Sequence, residues 1–235
     1  MILVLKKVSL LIMKNLNQYI DHTLLKPTAT ENDIKKLCEE ALEYQFYSVC
    51  VNSGYVAFAK AQLEQSNVKV CSVVGFPLGA MSTQAKVMEA NKAIVDGADE
   101  IDMVINIGRL KSENFDAVWK EIEMVKKVIG NKVLKVILET CYLDKAEIIK
   151  ASELAMLSGA DFVKTSTGFG TRGATFEDVQ LMKSAVKDQV KIKASGGIRD
   201  RFTALEYIAL GVERIGTSSG IDIVTNKNTE NEHTY

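Results

Sequence analysis

Lys164 and Lys193 are the residues that most need a reason. Each ends a short β-branched run, "DFVKTS" (161–166) and "VKIKAS" (190–195), and small hydroxyl or glycine residues follow at once. A buried strand has little use for an idle charge. Two ammonium groups a few ångströms apart in a partly desolvated place cannot both keep their protons comfortably, and the one that yields becomes a neutral amine. Such an amine attacks carbonyls, and the resulting Schiff base is an electron sink. It lets an adjacent C–C bond break or a proton leave the neighbouring carbon. Asp102, in "EIDMVI" (100–105), is the carboxylate suited to moving protons there. The residues alone leave open which lysine is covalent. They also leave open a barrel isomerase with Asp102 or Glu139 as base, and a phosphosugar-binding regulator whose lysines only neutralise ligand charge.

A second group of residues suits an anion. Glycine-rich turns follow three of the strand-like runs: "STGFG" (166–170), "SGGIRD" (195–200) and "GTSSG" (216–220). Glycines let backbone N–H groups approach a ligand, and such loops hold phosphate. Thr167, Gly168, Gly196, Gly197, Gly216, Ser218 and Ser219 are the candidates, with Arg199 as an added charge or a solvent-facing helix start. Asp21 and Thr23 are candidate contacts to substrate hydroxyls, and Cys50 is a candidate pocket residue. The histidines are only His22 and His233, and no cysteine, histidine and carboxylate cluster has zinc-ligand spacing. No P-loop or dinucleotide fingerprint occurs. The expectation is therefore no metal and no cofactor.

These groups need a frame. Besides the runs already named, "YIDHTL" (19–24), "YSVCV" (47–51), "VKVCSVV" (68–74), "KVLKVILE" (132–139) and "ERIGTS" (213–218) read as strands. Between them lie amphipathic segments such as "TENDIKKLCEEALEY", "TQAKVMEANKAIVDG" and "KAEIIKASELAMLSG". Thr30 is placed to N-cap the first, and Gly97 and Gly159 to end the other two. Eight strand-helix units predict an α/β fold, a (β/α)₈ barrel in one domain; the runner-up is an open doubly wound sheet. Strand alternation puts Glu100, Asp102, Lys135, Glu139, Lys164, Lys191 and Lys193 on the inward face if the apolar set faces the helices. Glu100, Lys135 and Lys191, early in their strands, are expected as paired floor charges. The others lie nearer the C-terminal ends, where barrels do chemistry.

The chain has 235 residues, 47% hydrophobic and 25% charged, with a formal net charge of -1. That balance gives no field for nucleic acid or anionic lipid. Four dispersed cysteines, at 38, 50, 71 and 141, without a paired spacing suggest a reducing cytoplasm. The apolar start "MILVLKKVSLLIMKN" is too short to span a bilayer, so residues 1–13 are expected to be an extension, with Met13 as an alternative start. Residues 14–224 form the expected barrel, and 225–235 a polar tail whose Tyr235 could join a proton relay. Apolar outer helix faces would allow a homodimer.

"IDHTLLKP", "SVCVNSGYV", "VVGFPLGA", "EIDMVINIG", "VILETCYL", "DFVKTSTGFG", "KASGGIR" and "RIGTSSG" together resemble the deoxyribose-phosphate aldolase family, from residue 19 to about 221. The resemblance implies a metal-free (β/α)₈ aldolase of deoxyribonucleotide catabolism. It would cleave 2-deoxy-D-ribose 5-phosphate reversibly to acetaldehyde and D-glyceraldehyde 3-phosphate. It implies that Lys164 forms the Schiff base, that Asp102 and Lys193 are proton donors or acceptors, and that the glycine loops take the phosphate. Phe169 stands where some relatives carry a lysine.

Overall fold

The computed structural model of the chain describes residues 15–226. The expected extension (1–13), His233, Tyr235 and all but the first two tail residues lie outside this range. Eight parallel strands close into a barrel in sequence order: β1 Ile20–Leu24, β2 Ser48–Val51, β3 Lys69–Val74, β4 Glu100–Val104, β5 Val133–Ile137, β6 Phe162–Lys164, β7 Lys191–Ser195 and β8 Arg214–Thr217. β1 pairs with both β2 and β8, so no edge remains. The open-sheet alternative is thereby set aside.

Around the barrel run α1 Glu31–Glu43, α2 Val56–Gln62, α3 Thr83–Val95, α4 Ile107–Lys111, α5 Phe115–Ile129, α6 Lys145–Leu157, α7 Phe176–Val186, α8 Arg201–Ala209 and α9 Gly220–Thr225. Local signals start and stop them. Thr30 caps α1 through a reciprocal box with Asp33, and Asp144 does the same for α6 with Glu147. Gly97 and Gly159 follow α3 and α6 with φ of 104° and 79°, the left-handed turn that glycine takes without a Cβ penalty.

The alternation predicted from the strands holds. Ile101, Met103, Val136, Leu138, Ile192 and Ala194 pack in the large core shared with the helices. Next to them in sequence, Asp102, Lys135 and Lys193 point to the axis. Such a core stabilises the frame by roughly 25 cal/mol per Å² of apolar surface removed from water. That burial is what lets the barrel hold a costly set of charges inside.

Candidate active site

Seven buried charged side chains come from the inward positions of β1, β4, β5, β6, β7 and β8: Asp21, Glu100, Asp102, Lys135, Lys164, Lys193 and Arg214. Strand register brings them together. Asp102 lies beside Lys135, Lys164 beside Lys193, and Lys193 beside Arg214. Asp102 is the hub. Its Oδ1 accepts from Lys135 Nζ at 2.8 Å. Its Oδ2 accepts from Lys164 Nζ at 2.7 Å and from Lys193 Nζ at 2.8 Å. Lys193 also donates to Asp21 at 2.5 Å. Lys135 pairs with Glu100 at 2.5 Å, and Arg214 bridges Asp21 (2.8 Å) and Glu100 (3.1 Å).

Lys191 is a correction to the inward set. It is the first residue of β7, and its side chain is exposed and pairs with Glu213 at 3.3 Å. At the N-terminal rim a long side chain reaches water by a short bend, which costs less than burial. Arg214 takes its place in the floor, with its guanidinium 3.4 Å from the centre of the Tyr47 ring. The parity argument that found Lys193 applies equally to Arg214, its register partner.

The electrostatics differ from a simple pair of repelling lysines. Burial pushes the Asp102 carboxyl upward, but Lys135, Lys164 and Lys193 more than reverse this and hold it well below the usual carboxylate range. Asp21 is lowered in the same way, by Arg214, Lys193 and Lys135 against its burial. Burial pulls the Lys193 ammonium down, yet Asp102 and Asp21 outweigh it, and its pKa lies above the ordinary lysine value. The carboxylate between the two lysines is the reason, since it compensates the second charge. Four cations face three carboxylates inside the barrel. Lys135, Lys193 and Arg214 each touch at least two of those carboxylates, whereas Lys164 touches Asp102 alone.

Above this cluster, at the C-terminal end of the strands, opens a cavity of about 300 Å³. Lys164 is on its wall, together with Thr23, Thr167, Gly168, Gly196, Gly197, Arg199, Gly216 and Ser218. Gly168, Gly196 and Gly197 have φ between 80° and 86°, which turns the loop backbone in a way other residues rarely allow. Gly173 lets one loop lie on the other, because a Cβ there would stand 2.1 Å from the Gly196 carbonyl oxygen.

The structure does not bring Asp21, Cys50 or Ser219 to that wall. Asp21 is fully buried beneath it and accepts from Ser48 at 2.6 Å as well as from Lys193 and Arg214. Cys50 is sealed inside with Cys71 and Val73. Ser219 turns its N–H to Thr217 Oγ1 at 2.9 Å. Thr23 is on the wall, with its hydroxyl donated to the Asp21 carbonyl at 2.8 Å. Asp102 is one hydrogen bond below Lys164, and Lys193 is one further, through Asp102.

Several wall residues lie within the quoted motifs without being candidate contacts themselves. Lys26 and Leu25 come from the segment after β1, and Phe169 from the loop after β6. Phe169 meets Phe76 edge to face at 5.3 Å. Glu139 is buried, but away from the lysine cluster. Its backbone takes the left-handed conformation (φ 54°), and its carboxylate accepts from the Thr167 N–H (3.2 Å) and hydroxyl. It holds the loop after β6 and is not aimed at a substrate, which removes support from an isomerase based on it.

Cys50, Cys71 and Asp102 place three ligand-type atoms within 4.8 Å of one another. The cluster's ammonium groups oppose a cation there; Lys135 Nζ lies 3.4 Å from Cys71 Sγ. Cys71 donates to Asp102 Oδ1 at 3.1 Å; burial pushes its thiol well up, and the neighbouring Cys71 side chain pulls the Cys50 thiol down.

A lysine paired with a carboxylate at the C-terminal mouth of a closed parallel barrel, under glycine loops, is the layout of a barrel aldolase. The family comparison agrees. The model of the DeoC/LacD family of aldolases matches residues 16–229, and the chain belongs to that family. It is an aldolase, a carbon–carbon lyase. It is 60% identical over 209 residues to a deoxyribose-phosphate aldolase of Finegoldia magna, covering 89% of this chain and 98% of that one. It is 59% identical over 211 residues to one of Thermococcus gammatolerans, covering 88% and 94%. Among solved structures, the tetrameric deoxyribose phosphate aldolase of Aeropyrum pernix superposes with a TM-score of 0.83 at 34% identity, covering 92% of both chains. An aldolase designated QR15 gives 0.85 at 48%, covering 88% and 93%. Among the described residues no helix is long and apolar enough to cross a membrane.

Proposed function

We propose that the chain cleaves 2-deoxy-D-ribose 5-phosphate reversibly to acetaldehyde and D-glyceraldehyde 3-phosphate, with Lys164 as the Schiff-base residue. The observation that carries the reading is the shared Asp102 Oδ2, which contacts Lys164 Nζ and Lys193 Nζ at 2.7 and 2.8 Å at the foot of a glycine-lined cavity. The names of the relatives support the substrate.

The neutral amine that attacks the sugar aldehyde would also balance the barrel, leaving three cations against three carboxylates. Loss of water gives the imine. The C3 hydroxyl then gives up its proton while C2–C3 breaks, and glyceraldehyde 3-phosphate departs. The electron pair moves into an enamine on Lys164. Protonation at carbon and hydrolysis release acetaldehyde and restore the amine. Asp102, held as a carboxylate, is the acceptor in this scheme, and Lys193, held as an ammonium, is the donor. The hydrogen bond from Lys193 to Asp102 Oδ2 gives the proton a short path between them. A water in the cavity would carry it to the sugar.

A coupled assay for glyceraldehyde 3-phosphate tests the reading. We expect its release from 2-deoxy-D-ribose 5-phosphate in equal amount to acetaldehyde. A product that keeps all five carbons would mean an isomerase, and binding without turnover would mean a regulator.

The reading extends to deoxyribonucleotide catabolism in the cytoplasm, supported by four free cysteines. A homo-oligomer is proposed as well, since the Aeropyrum pernix relative is tetrameric. Light scattering should give a mass of at least two chains, and a monomer would end that proposal.

A further inference from the structure

We infer that Lys26 is a phosphate-selecting residue, a cation that reaches the substrate from the β1 side of the cavity, next to the glycine loop after β8. The inference rests on the phosphosugar reading above. The charged side chains on the cavity wall are Lys164, Lys26 and Arg199, and no carboxylate joins them. A wall with cations alone selects an anionic ligand. Lys164 is committed to Asp102 below. Lys26 and Arg199 have neither an ion pair nor a side-chain hydrogen bond among the described residues. Their charge is available to a ligand.

The position of Lys26 is fixed although its side chain is exposed. It follows β1, whose neighbour β8 leads into the loop of Ser218. Its carbonyl accepts from the Ala29 N–H at 3.1 Å, which closes a turn with Pro27 at the second position. Tyr55 Oη donates to the Ala29 carbonyl at 2.6 Å and anchors that turn. Lys26 and Ser218 both also line the neighbouring cavity, where Asp33, Lys36, Glu40 and His22 lie. Asp33 is occupied by the α1 cap, and Glu40 by His22 at 2.7 Å. Lys26 is therefore held at the rim beside the loop of Ser218, and Asp33, which feels its charge, is already tied to the α1 cap and makes no ion pair with it. Phe169, on the loop after β6, offers no charge, so Lys26 and Arg199 supply the cations at the phosphate end.

Steady-state kinetics of Lys26→Ala and Lys26→Arg on 2-deoxyribose 5-phosphate and on 2-deoxyribose test this. For Lys26→Ala we expect kcat/KM on the phosphorylated sugar to fall about tenfold or more, mostly through KM, as for loss of a charged hydrogen bond. The loss on 2-deoxyribose should be at least several times smaller. Lys26→Arg should keep most of the phosphate preference, and added salt should weaken the wild type more steeply than Lys26→Ala. Equal losses on both sugars, or an unchanged preference in Lys26→Ala, would overturn the inference. Wild-type protein with no preference for the phosphorylated sugar would instead overturn the phosphosugar reading itself.

Discussion

Replacing Lys164 by Met should abolish turnover while leaving the fold intact. The expected fall in kcat is on the order of 10⁴-fold or more, as for removal of other covalent residues. The folding half of the prediction comes from the charge count. Lys164→Met leaves Lys135, Lys193 and Arg214 against Asp21, Glu100 and Asp102, and Asp102 keeps contacts to Lys135 and Lys193 at 2.8 Å. Breaking a buried pair is costly when it leaves a charge uncompensated, and here Asp102 stays compensated by two ammonium groups. Thermal melting should therefore stay near the wild type or rise. Lys164→Arg is the sharper companion. It preserves the positive charge beside Asp102, but a guanidinium keeps its proton and forms no imine. A variant with arginine that kept substantial turnover would show that the charge, and not a covalent bond, is what matters at this position.

The second large effect is expected at Asp102, and here activity and stability should fall together. Asp102→Asn removes the group we assign as proton acceptor, for which a loss of about 10² to 10⁴ in kcat is typical. It also leaves Lys135, Lys164, Lys193 and Arg214 facing two carboxylates. Breaking a buried ion pair from one side costs about 3–5 kcal/mol. The variant should thus melt well below the wild type, and turnover must be compared per folded molecule. The pH dependence follows from the sign of the shift. The Asp102 carboxyl is held below its ordinary value of 3.8 in the folded protein. Its contribution to stability is therefore present above that pH and is lost as pH falls below it, toward the folded value. The wild type should lose stability steeply below about pH 4, and Asp102→Asn should lose part of that slope. An asparagine variant with the wild-type melting temperature and acid profile would contradict the role of Asp102 as hub of the charge cluster.

Much of this arrangement could be read from residue order, because the physics involved is local. All eight expected strands form, within a few residues of their expected bounds, because β-branched runs between turn signals need little context. Thr30, Gly97 and Gly159 behave as their types dictate at helix ends. The inward charges at 100, 102, 135, 164 and 193 follow from the two-residue repeat of a strand. β6 is the instructive exception at its ends. It is regular only over Phe162–Lys164, yet Thr165 still donates to the Lys193 carbonyl at 3.1 Å. The strand yields to the loop just where Lys164 must be presented.

What order alone did not show was set by distance in three dimensions. Asp102 and Lys164 are 62 residues apart in the chain and share a hydrogen bond. Parity put both in the barrel, but register decided that the carboxylate would lie between the lysines and keep Lys193 charged. Asp21 was placed on the correct face but too high. Its register partner Ser48 is the first residue of β2, and its carboxylate is taken up by Lys193 and Arg214, so it serves them instead of a ligand. Cys50 faces inward as expected, yet Leu25, Val73 and Phe76 pack with it, so it lies off the wall. Lys26 lies in "IDHTLLKP" and Glu139 is a candidate base by sequence, but where each stands depends on a turn in one case and on a left-handed backbone at a strand end in the other. The role of Lys164 over Lys193 came from the family resemblance. The structure adds a physical reason, namely that Lys164 is on the cavity wall while Lys193 is fully buried.

The most direct test of the covalent role is reduction with borohydride in the presence of acetaldehyde, followed by peptide mapping. The account predicts a single ethyl group on the peptide holding Lys164, with loss of activity in step with its formation and no label in Lys164→Met. An active preparation that gains no adduct, or gains it on Lys193 instead, would contradict it.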